Sequence, residues 1–369
     1  MRVLAVSTWL PTDGHPATGT FVVKDAQAVA SLGHDVALVH LVPPAQVDAP
    51  MRAELGGLPV TRVPMATHSP ADIAAAGRTL RAMAAKADLL HTMAFSSLLP
   101  TAGWRSPVPW VHTEHWSGLT APQTLPLAWR LLLPSLTPLL RAPDVVTAVC
   151  EYLAAPIRRV RGGGPTMVVP CVVPRAEVHP RPLLGGELRV VDVGALVPRK
   201  DPLLAVDVVA ELGRRGRPAR IRFVGQGELA DQVEKRAVAL GIPDRVELAG
   251  SLDREGVLRE LAAADLFLGP TRGDNFFVSC AEAVLAGRPV VVGATGGQGE
   301  YLDPRVGVSV ATQSATAYAD AVEQMLDRAS GLTAQQISDT VGDRFEGPVV
   351  AQGYAEAYEL AAQRRSPGE

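Results

Sequence analysis

The chain has 369 residues, a length typical of two ordinary domains. Hydrophobic residues make up 47% of it and charged residues 20%, which leaves ample apolar side chain for a sizeable core. Its 35 Lys and Arg against 38 Asp and Glu give a net charge of -3. This balance argues against a protein that binds nucleic acid through a broad basic face.

The cysteines and the N-terminus restrict the class of protein further. Cys150, Cys171 and Cys280 are far apart and show no CxxC spacing, so neither a disulfide framework nor a structural zinc site is expected. The apolar N-terminal run is too short for a signal peptide and ends at Pro11, and no window has the length of a membrane span. The sequence therefore predicts a cytoplasmic protein.

Short apolar runs alternate with longer helix-like stretches, a pattern typical of parallel sheets covered by helices on both faces. The first series consists of Val3–Thr8, Val36–Val42, Val60–Val63, Leu89–Met93, Val108–His112, Val145–Val149 and Met167–Val173. The second consists of Leu188–Leu196, Ile221–Val224, Val246–Leu248, Leu266–Leu268, Val290–Val292 and Val306–Val310. A Pro-rich stretch near residues 174–187 separates them. The pattern predicts two Rossmann-like α/β domains joined there.

One stretch, Leu125–Arg141, does not fit the alternation. It is apolar, broken by three prolines, and carries Arg130 and Arg141 as its only charges. The prolines and the few cations argue against a strong amphipathic membrane anchor. We expect it to pack inside the protein, between domains or beside a ligand-binding cleft.

The loop after the first strand carries Gly14 and Gly19 ahead of a predicted helix. Ligands of open α/β sheets bind at the carboxyl ends of the strands, where the N–H groups of such a loop can approach a phosphate. The alternative is an ordinary surface loop. The absence of GxGxxG argues against a dinucleotide-binding first domain.

His112 and His115 flank Glu114 at the end of the fifth run. The trio invites a metal interpretation, but positions three apart at the end of a strand do not share a face, and no further ligand is evident. We favour a histidine at the mouth of a cleft that donates a hydrogen bond to a phosphate or a sugar hydroxyl.

Two adjacent cations, Arg199 and Lys200, follow the first strand of the second series. Positive charges at the carboxyl end of a strand suit a diphosphate. Taken alone, the two residues also fit a solvated charge pair.

The most distinctive segment runs from Pro270 to Ala283 and connects a strand to a helix. Asp274 lies in its loop and Glu282 about two helical turns later, a spacing that suits two parts of one elongated polar ligand. The helix N-terminus between them offers free N–H groups to anionic oxygens. The alternative is a capping Asp and a solvated Glu.

In this order the motifs resemble the GT-B retaining glycosyltransferases of family 4. The hallmark of that family is an acidic residue, seven intervening residues and Glu, here Asp274 to Glu282. The segments VGALVPRK, FVGQGEL and the N-terminal GTFV also fall in the family's order, and the resemblance covers nearly the whole chain.

The resemblance implies a GT-B architecture, with two Rossmann-like parallel-sheet domains facing a central cleft. Residues 1–174 would bind the acceptor, and residues 175–349 would bind a nucleotide sugar. A C-terminal helix at about 350–369 would pack back on the first domain.

It also implies roles for single residues. Glu282 would bind the ribose hydroxyls, and Asp274 would contact the hydroxyls of the sugar. Lys200, helped by Arg199, would neutralise the leaving diphosphate.

The other implied site residues surround these. Gly19 would face the diphosphate, and His115 would lie near the sugar and the acceptor, which makes His115, Asp274 and Lys200 the predicted catalytic set. The start of the donor helix would also contact the donor, through Asn275, Phe276, Phe277 and Val278.

Three positions depart from the family pattern. Asp274 replaces the usual Glu and is one methylene shorter, Ala195 replaces a frequent Arg, and Phe277 stands where Gly or Pro is common. These departures bear on the identity of the donor rather than on the fold.

The sequence thus predicts a metal-independent glycosyltransferase without a cofactor, using a UDP- or GDP-sugar as co-substrate. It contains no Asp-x-Asp, so a lysine and a helix N-terminus would take the place of Mg²⁺. Retention implies front-face attack, with a leaving phosphate oxygen taking the acceptor's proton. A double displacement through Asp274 is the lesser alternative.

The expected acceptor is a small molecule of a natural-product pathway that offers a hydroxyl or a thiol. A lipid-linked or cell-envelope glycan is the alternative. Membrane contact is left open but less favoured, and no nucleic acid is expected as a partner. The lesser alternatives are a nucleotide-sugar epimerase and a non-catalytic nucleotide-sugar-binding protein.

Overall fold

The computed structural model describes residues 1–15, 18–47, 52–182 and 186–365. The chain divides into two compact units, which we call the N-terminal unit (Met1–Val172 with Phe345–Glu369) and the C-terminal unit (Val173–Arg344). Residues 183–185 of the predicted linker and residues 366–369 of the predicted last helix lie outside the described residues.

The N-terminal unit is built on an eight-stranded sheet. Its strands are β1 (Arg2–Ser7), β2 (Asp35–Val42), β3 (Arg52–Leu55), β4 (Leu58–Pro64), β5 (Leu89–Met93), β6 (Trp110–Glu114), β7 (Val145–Ala148) and β8 (Thr166–Val168). They lie in the order β3-β4-β2-β1-β5-β6-β7-β8, and all pairs except β3 with β4 are parallel. The middle strands are buried on both faces, as expected for near-continuous apolar runs.

Helices cover both faces of this sheet. Four of them follow strands in chain order: α1 (Thr20–Ser31), α2 (Pro70–Ala84), α3 (Leu127–Leu136) and α4 (Glu151–Arg161). Val22 and Val29 on the inner face of α1 are buried in the core of this unit.

The C-terminal unit is built on a six-stranded sheet. Its strands are β9 (Leu188–Val193), β10 (Ala219–Val224), β11 (Val246–Leu248), β12 (Leu266–Gly269), β13 (Val290–Gly293) and β14 (Gly307–Val310). The order β11-β10-β9-β12-β13-β14 is parallel throughout and is the strand order of the Rossmann fold.

The described residues of this unit form six α-helices: α5 (Pro202–Arg214), α6 (Ala230–Ala239), α7 (Arg254–Ala263), α8 (Val278–Leu285), α9 (Ala315–Ala329) and α10 (Ala334–Ser338). The chain then returns to the N-terminal unit as α11 (Gly347–Gln363), which packs against α1, β6 and β7. Tyr354 and Tyr358 of α11 are fully buried there.

The strand order fixes where each unit can bind a ligand. In a doubly wound sheet the crevice opens where the order reverses, outside the carboxyl ends of the strands. In the N-terminal unit that point lies beside β1 and β5, and in the C-terminal unit beside β9 and β12.

The sequence patterns place thirteen strands, and each has a counterpart in the structure; β3 was not predicted. It pairs antiparallel with β4 at the edge of the sheet, across a turn in which Gly56 and Gly57 have φ values of 59° and 80°. Its residues are half-buried or exposed, so it lacks the apolar run by which the other strands were found.

The expectation that Leu125–Arg141 packs inside the protein is wrong for one face of α3. Leu127, Leu131 and Leu132 are 67%, 71% and 54% exposed, whereas Leu133 is buried. A helix with leucines on every side has no periodicity that marks its inner face, and a surface helix can bury only one of its faces.

Two further observations concern the whole described chain. All three cysteines are free and buried. No helix within the described ranges combines the length and the apolar character needed to cross a membrane.

Candidate active site

The loops after β9 and β12 meet at the switch point of the C-terminal unit. The N–H of Arg272 donates to the carbonyl of Arg199 at 2.8 Å, and the Thr271 hydroxyl donates to the same carbonyl at 3.2 Å. The Arg272 guanidinium pairs with Asp201 at 2.7 Å. These contacts hold the two loops side by side.

Two cations surround one carboxylate in these loops. Lys200 Nζ lies 2.7 Å from Asp274 Oδ2, and Arg199 Nη1 lies 2.8 Å from the same oxygen. Arg199 also donates to the Gly273 carbonyl at 2.6 Å. Burial raises the pKa of Asp274, but the charges of Lys200 and Arg199 outweigh it and lower the pKa to about 2. The cluster keeps one positive charge in excess.

The same carboxylate organises the start of α8. The N–H of Phe277 donates to Asp274 Oδ1 at 3.1 Å, and the Ser279 hydroxyl donates to the Val193 carbonyl at the end of β9 at 2.7 Å. The N-terminus of α8 is thus fixed beside the two cations. Both features favour an anion at this place.

The surroundings of Phe277 show how a phenylalanine fits at a position where the family usually has Gly or Pro. Its φ is 59°, the left-handed region that normally favours glycine. Its ring is buried, packs edge-on against Phe267 at 5.7 Å, and lies 3.7 Å from Lys200 Nζ. A Cβ on Gly269 would approach the tip of this ring to 2.6 Å, so that glycine makes room for it.

The other predicted donor-site residues lie along the start of α8. Asn275 and Phe276 are 4% and 5% exposed, and the Phe276 ring packs on Tyr301 at 5.4 Å. Val278 opens the helix, and Glu282 is half-buried one turn further on.

The sequence patterns did not reveal the contacts that hold the loop of Asp274 in place. The N–H of Gly297 donates to the carbonyls of Asp274 and Asn275 at 3.1 and 2.9 Å. A Cβ on Gly296, whose φ is 136°, would lie 2.0 Å from the Asp274 carbonyl oxygen. The Tyr301 hydroxyl donates to the Phe277 carbonyl at 3.0 Å. The glycines that follow β13 therefore brace the Asp274 loop.

Asp192 was also missed. It lies in β9, is 5% exposed, and has a pKa raised by burial to about 7, against the opposing charge of Lys200. A carboxylate between two valines of a buried strand was the available signal.

In the N-terminal unit, Gly19 ends the loop after β1 and lies close to the Trp9 backbone in the same loop. It precedes α1 with φ 68°, and a Cβ there would lie 2.1 Å from the Trp9 carbonyl oxygen. The position admits only glycine without movement of the backbone.

His115 is buried rather than open at the mouth of a cleft. Its side chain is 4% exposed, its ring lies 4.7 Å from that of Phe21, and its Nε2 lies 3.6 Å from Asp25 Oδ2. Burial and the neighbouring His112 lower the pKa of His115 to about 3. The imidazole is therefore uncharged at neutral pH.

Asp25 is a second residue that sequence reasoning missed. It lies on the inner face of α1 and is fully buried. Burial raises its pKa to about 7, although the Tyr354 hydroxyl and the Val172 backbone act to lower it. A charged residue among the buried positions of an amphipathic helix was the signal.

The metal interpretation of His112 and Glu114 finds no support in their contacts. His112 Nε2 lies 3.3 Å from Glu114 Oε2, and its Nδ1 lies 2.9 Å from the Thr92 hydroxyl. The other Glu114 oxygen accepts the N–H groups of His115 and Trp116. Within the described part of the chain, no three His, Cys, Asp or Glu side chains converge as a metal site would need.

An apolar pocket of about 410 Å³ opens at the carboxyl ends of the strands in the N-terminal unit. Its aromatic lining comes from Trp9 after β1, Phe95 after β5, Trp116 after β6 and Trp129 of α3. Trp9 also contacts Phe21, the residue against which His115 packs. The pocket therefore lies beside the loop that carries Gly19.

The structure brings Arg199, Lys200, Asp274 and Phe277 into direct contact. Gly19 and His115 belong to the other unit, where Trp9 and Phe21 connect their surroundings.

Two family models match the chain. That of glycosyl transferases group 1 matches residues 175–340, and that of the glycosyl transferase 4-like domain matches residues 17–172. Sucrose-phosphate synthase from Thermosynechococcus elongatus has the same fold, with a TM-score of 0.81 and 20% identity over 99% of this chain and 100% of that one.

The names of several relatives specify an acceptor, and two of these names specify different acceptors. The 2-deoxystreptamine glucosyltransferase of Streptomyces kanamyceticus is 29% identical over 54% of this chain and 56% of that protein. The GDP-mannose-dependent alpha-(1-6)-phosphatidylinositol monomannoside mannosyltransferase of Mycolicibacterium smegmatis is 29% identical over 54% of this chain and 58% of that protein. The chain thus spans little more than half the length of these relatives.

The two doubly wound α/β units give the chain the GT-B fold of its structural neighbours, which are glycosyltransferases. Within that class, the chain belongs to the glycosyl transferases group 1.

Proposed function

We propose that the protein transfers a sugar, with retention of anomeric configuration, from a nucleotide-diphosphate sugar to a hydroxyl or thiol of an acceptor. The observation that carries this proposal is the pair of cations, Lys200 and Arg199, held around Asp274 at the N-terminus of α8. A leaving diphosphate needs this arrangement, because its charge grows as the bond to the sugar breaks.

The reaction needs no covalent intermediate on the protein. The bond from the anomeric carbon to the phosphate oxygen breaks, and the diphosphate leaves with the electron pair. The acceptor oxygen or sulfur attacks from the same face and gives its proton to a phosphate oxygen. Asp274 is a poor nucleophile for the alternative double displacement, since two cations hold its pKa at about 2.

The cations take the role that Mg²⁺ plays in other transferases. Lys200 and Arg199 neutralise the leaving diphosphate, and the start of α8 adds backbone N–H groups. Asp274 and Glu282 contact the hydroxyls of the sugar and of the ribose. The backbone from Asn275 to Val278 lies against the donor. His115, uncharged, serves as a hydrogen-bond partner for the sugar or the acceptor, and Gly19 lets its loop approach the phosphates.

Two acceptor classes have support. Similarity to a 2-deoxystreptamine glucosyltransferase favours a small natural-product molecule. Similarity to a phosphatidylinositol mannoside transferase, together with the exposed leucines of α3, favours a lipid-linked glycan.

Donor binding is the first test. Purified protein is titrated calorimetrically with UDP, GDP and their glucose and mannose conjugates, and its melting temperature is recorded with each. We expect one nucleotide family to bind selectively and to raise the melting temperature, since a ligand of the native state stabilises it. The configuration of the product is then read by NMR with the donor that binds.

The remaining outcomes separate the alternatives. Failure of every nucleotide to bind would contradict the proposal. Isomerised donor without any need for an acceptor would indicate an epimerase. Tight binding with no turnover across a broad acceptor panel would indicate a non-catalytic binding protein.

A further inference from the structure

We propose that the acceptor carries an apolar aromatic or alkyl portion and that the aromatic pocket of the N-terminal unit binds this portion. The inference rests on the proposed transferase function and specifies the substrate class of its second site. It departs from the acceptor named for the 2-deoxystreptamine relative, which is a polar amine.

The walls of the pocket are built for a flat or extended apolar group. The Phe95 and Trp116 rings stack at 5.3 Å, and Trp129 meets Trp116 edge-on at 6.5 Å. Aromatic rings fixed by one another offer a large contact area without loss of side-chain freedom on binding. A volume of about 410 Å³ suits an alkyl chain or one or two rings.

The absence of charge in the described lining of the pocket also favours an apolar ligand. Every described residue that lines the pocket is uncharged, and its polar groups are mainly hydroxyls, of which Thr8 and Ser96 hydrogen bond to each other. An amine would find no carboxylate here, and a phosphate would find no arginine or lysine. Removing either charge from water without a partner is costly, whereas burial of an apolar group is favourable.

The position of the pocket suits an acceptor. Trp116 directly follows His115 in the chain, and Trp9 connects through Phe21 to the His115 ring. An apolar portion held by these tryptophans leaves the polar end of the molecule near the residue predicted to contact sugar and acceptor.

The apolar surface continues onto α3. Leu125 and Pro126 line the pocket, and the exposed Leu127, Leu131 and Leu132 follow in the next turns of chain. Residues 115–143 contain no Asp or Glu, while Arg130 and Arg141 are exposed. Such a surface suits an anionic bilayer that presents the apolar acceptor, although a soluble apolar compound would use the same pocket.

Tryptophan fluorescence gives a direct test. All five tryptophans lie in the N-terminal unit, and three of them line the pocket. Wild-type protein is titrated with para-butylphenol and n-octyl glucoside, and in parallel with 2-deoxystreptamine and inositol phosphate. We expect the apolar compounds to change the fluorescence and the charged compounds to leave it unchanged.

Pocket variants locate the binding. Trp129→Ala should weaken binding of the apolar compounds about tenfold, as truncation of an aromatic anchor does. Leu125→Asp should weaken it similarly and gain affinity for 2-deoxystreptamine, because it supplies a carboxylate. Trp129→Phe, which keeps an aromatic wall, should retain most of the affinity. Melting temperatures identify any variant that fails to fold.

Vesicles distinguish the two sources of the apolar group. The protein is sedimented with vesicles of phosphatidylglycerol and phosphatidylcholine in equal parts. If the acceptor is a membrane lipid, Leu131→Asp should lower the affinity for the vesicles about tenfold. The control Val238→Asp, a comparably exposed helical position in the C-terminal unit, should not lower it. If the protein binds the soluble apolar compounds but does not sediment with the vesicles, the pocket is supported and its acceptor is a soluble molecule.

Binding of 2-deoxystreptamine or inositol phosphate in preference to the apolar compounds would overturn the inference. Its failure can be told apart from failure of the proposed function by the nucleotide titrations. Nucleotide binding without apolar binding rejects the acceptor class alone. If the apolar compounds bind and no nucleotide does, the proposed transferase function is rejected, whereas the apolar binding pocket is supported.

Discussion

The two units of this protein carry opposite chemistry at the same place in their sheets. Beside β9 and β12 of the C-terminal unit, two cations and a carboxylate form a charged cluster at a helix N-terminus. Beside β1 and β5 of the N-terminal unit, tryptophans and a phenylalanine line an apolar pocket. One architecture therefore supplies the position of a site, and the loops decide what it binds.

The comparison also shows two ways of fixing a loop. In the C-terminal unit, ion pairs and backbone hydrogen bonds join the loops that carry Lys200 and Asp274. In the N-terminal unit the backbone at Gly19 leaves no room for a side chain, whereas Gly194, which begins the loop of Lys200, has room for one. Charges can be rearranged by a ligand more readily than such a backbone contact.

The largest expected effect is the loss of Lys200. Lys200→Ala removes the cation nearest to Asp274 and should lower kcat/KM by roughly 10²–10³-fold, the usual cost of removing one group that stabilises developing negative charge. Steady-state kinetics with the donor that binds checks this. The control is Lys235→Ala, an exposed lysine on α6, which should behave like wild type. Equal activity of the two variants would remove the cation pair from the proposed mechanism.

The next largest expected effect is a loss of stability that differs between a loop of the N-terminal unit and a loop of the C-terminal unit. Gly19→Ala forces a side chain into φ 68° and against the Trp9 carbonyl, which should cost about 2–4 kcal/mol. Gly194→Ala is the matched change after β9, where the new Cβ would meet Lys200 atoms at 3.6 Å and beyond, an ordinary contact. We expect it to cost less than about 1 kcal/mol.

Urea unfolding measures both glycine variants. Tryptophan fluorescence follows the N-terminal unit, which contains every tryptophan, and circular dichroism follows the whole chain. A Gly194→Ala variant as destabilised as Gly19→Ala would show that the two loops are equally intolerant of a side chain at these positions.

A smaller effect depends on pH. The folded-state pKa of Asp274 is about 2, below the value near 3.9 of an unfolded chain, so its ionisation stabilises the fold above pH 4. Asp274→Asn should therefore cost about 2 kcal/mol at neutral pH, and about half of that difference should be gone at pH 3. The comparison is Asp303→Asn, which breaks an exposed pair with Arg305 and should cost at most about 1 kcal/mol.

Unfolding free energies of both Asp variants at pH 7 and pH 3 provide the measurement. A penalty for Asp274→Asn that stays constant between these pH values would mean that hydrogen bonding, rather than charge, accounts for the role of this side chain.

Much of the architecture followed from the sequence because parallel strands buried on both faces leave continuous apolar runs. The same reasoning placed the loops of Lys200 and Asp274 at strand ends, and the strand order brings them together. It missed β3, whose residues are largely exposed, although the Gly56-Gly57 pair is a hairpin signal.

The parts that sequence reasoning missed depend on contacts between distant segments. The exposed face of α3 has no periodic signature, because leucines stand on all sides of that helix. The bracing of Asp274 by Gly296 and Gly297 joins two loops that follow different strands. The burial of Asp25 beside His115 needs the packing of α1 against the sheet. The contacts themselves are not encoded in local spacing, although a charged residue at a buried position of α1 marks Asp25.

The smallest expected effect tests the most unusual residue of the charged site. The Phe277 ring lies 3.7 Å from Lys200 Nζ, and a cation over an aromatic face gains about 0.5–2 kcal/mol. Phe277→Leu keeps the positive φ and most of the volume but removes the aromatic face. We expect donor affinity to fall about three- to tenfold, because Lys200 loses one of the contacts that orient it.

The control for Phe277→Leu is Phe223→Leu, which changes a fully buried ring of β10 that is not among the aromatic neighbours of Lys200. It should lower the melting temperature without lowering donor affinity. Phe277→Gly separates strain from orientation: glycine relieves the positive φ yet also lacks the ring, so its donor affinity should resemble that of Phe277→Leu. Wild-type donor affinity in both Phe277 variants would mean that the ring only fills space beside Gly269, and that the ion pair with Asp274 suffices to orient Lys200.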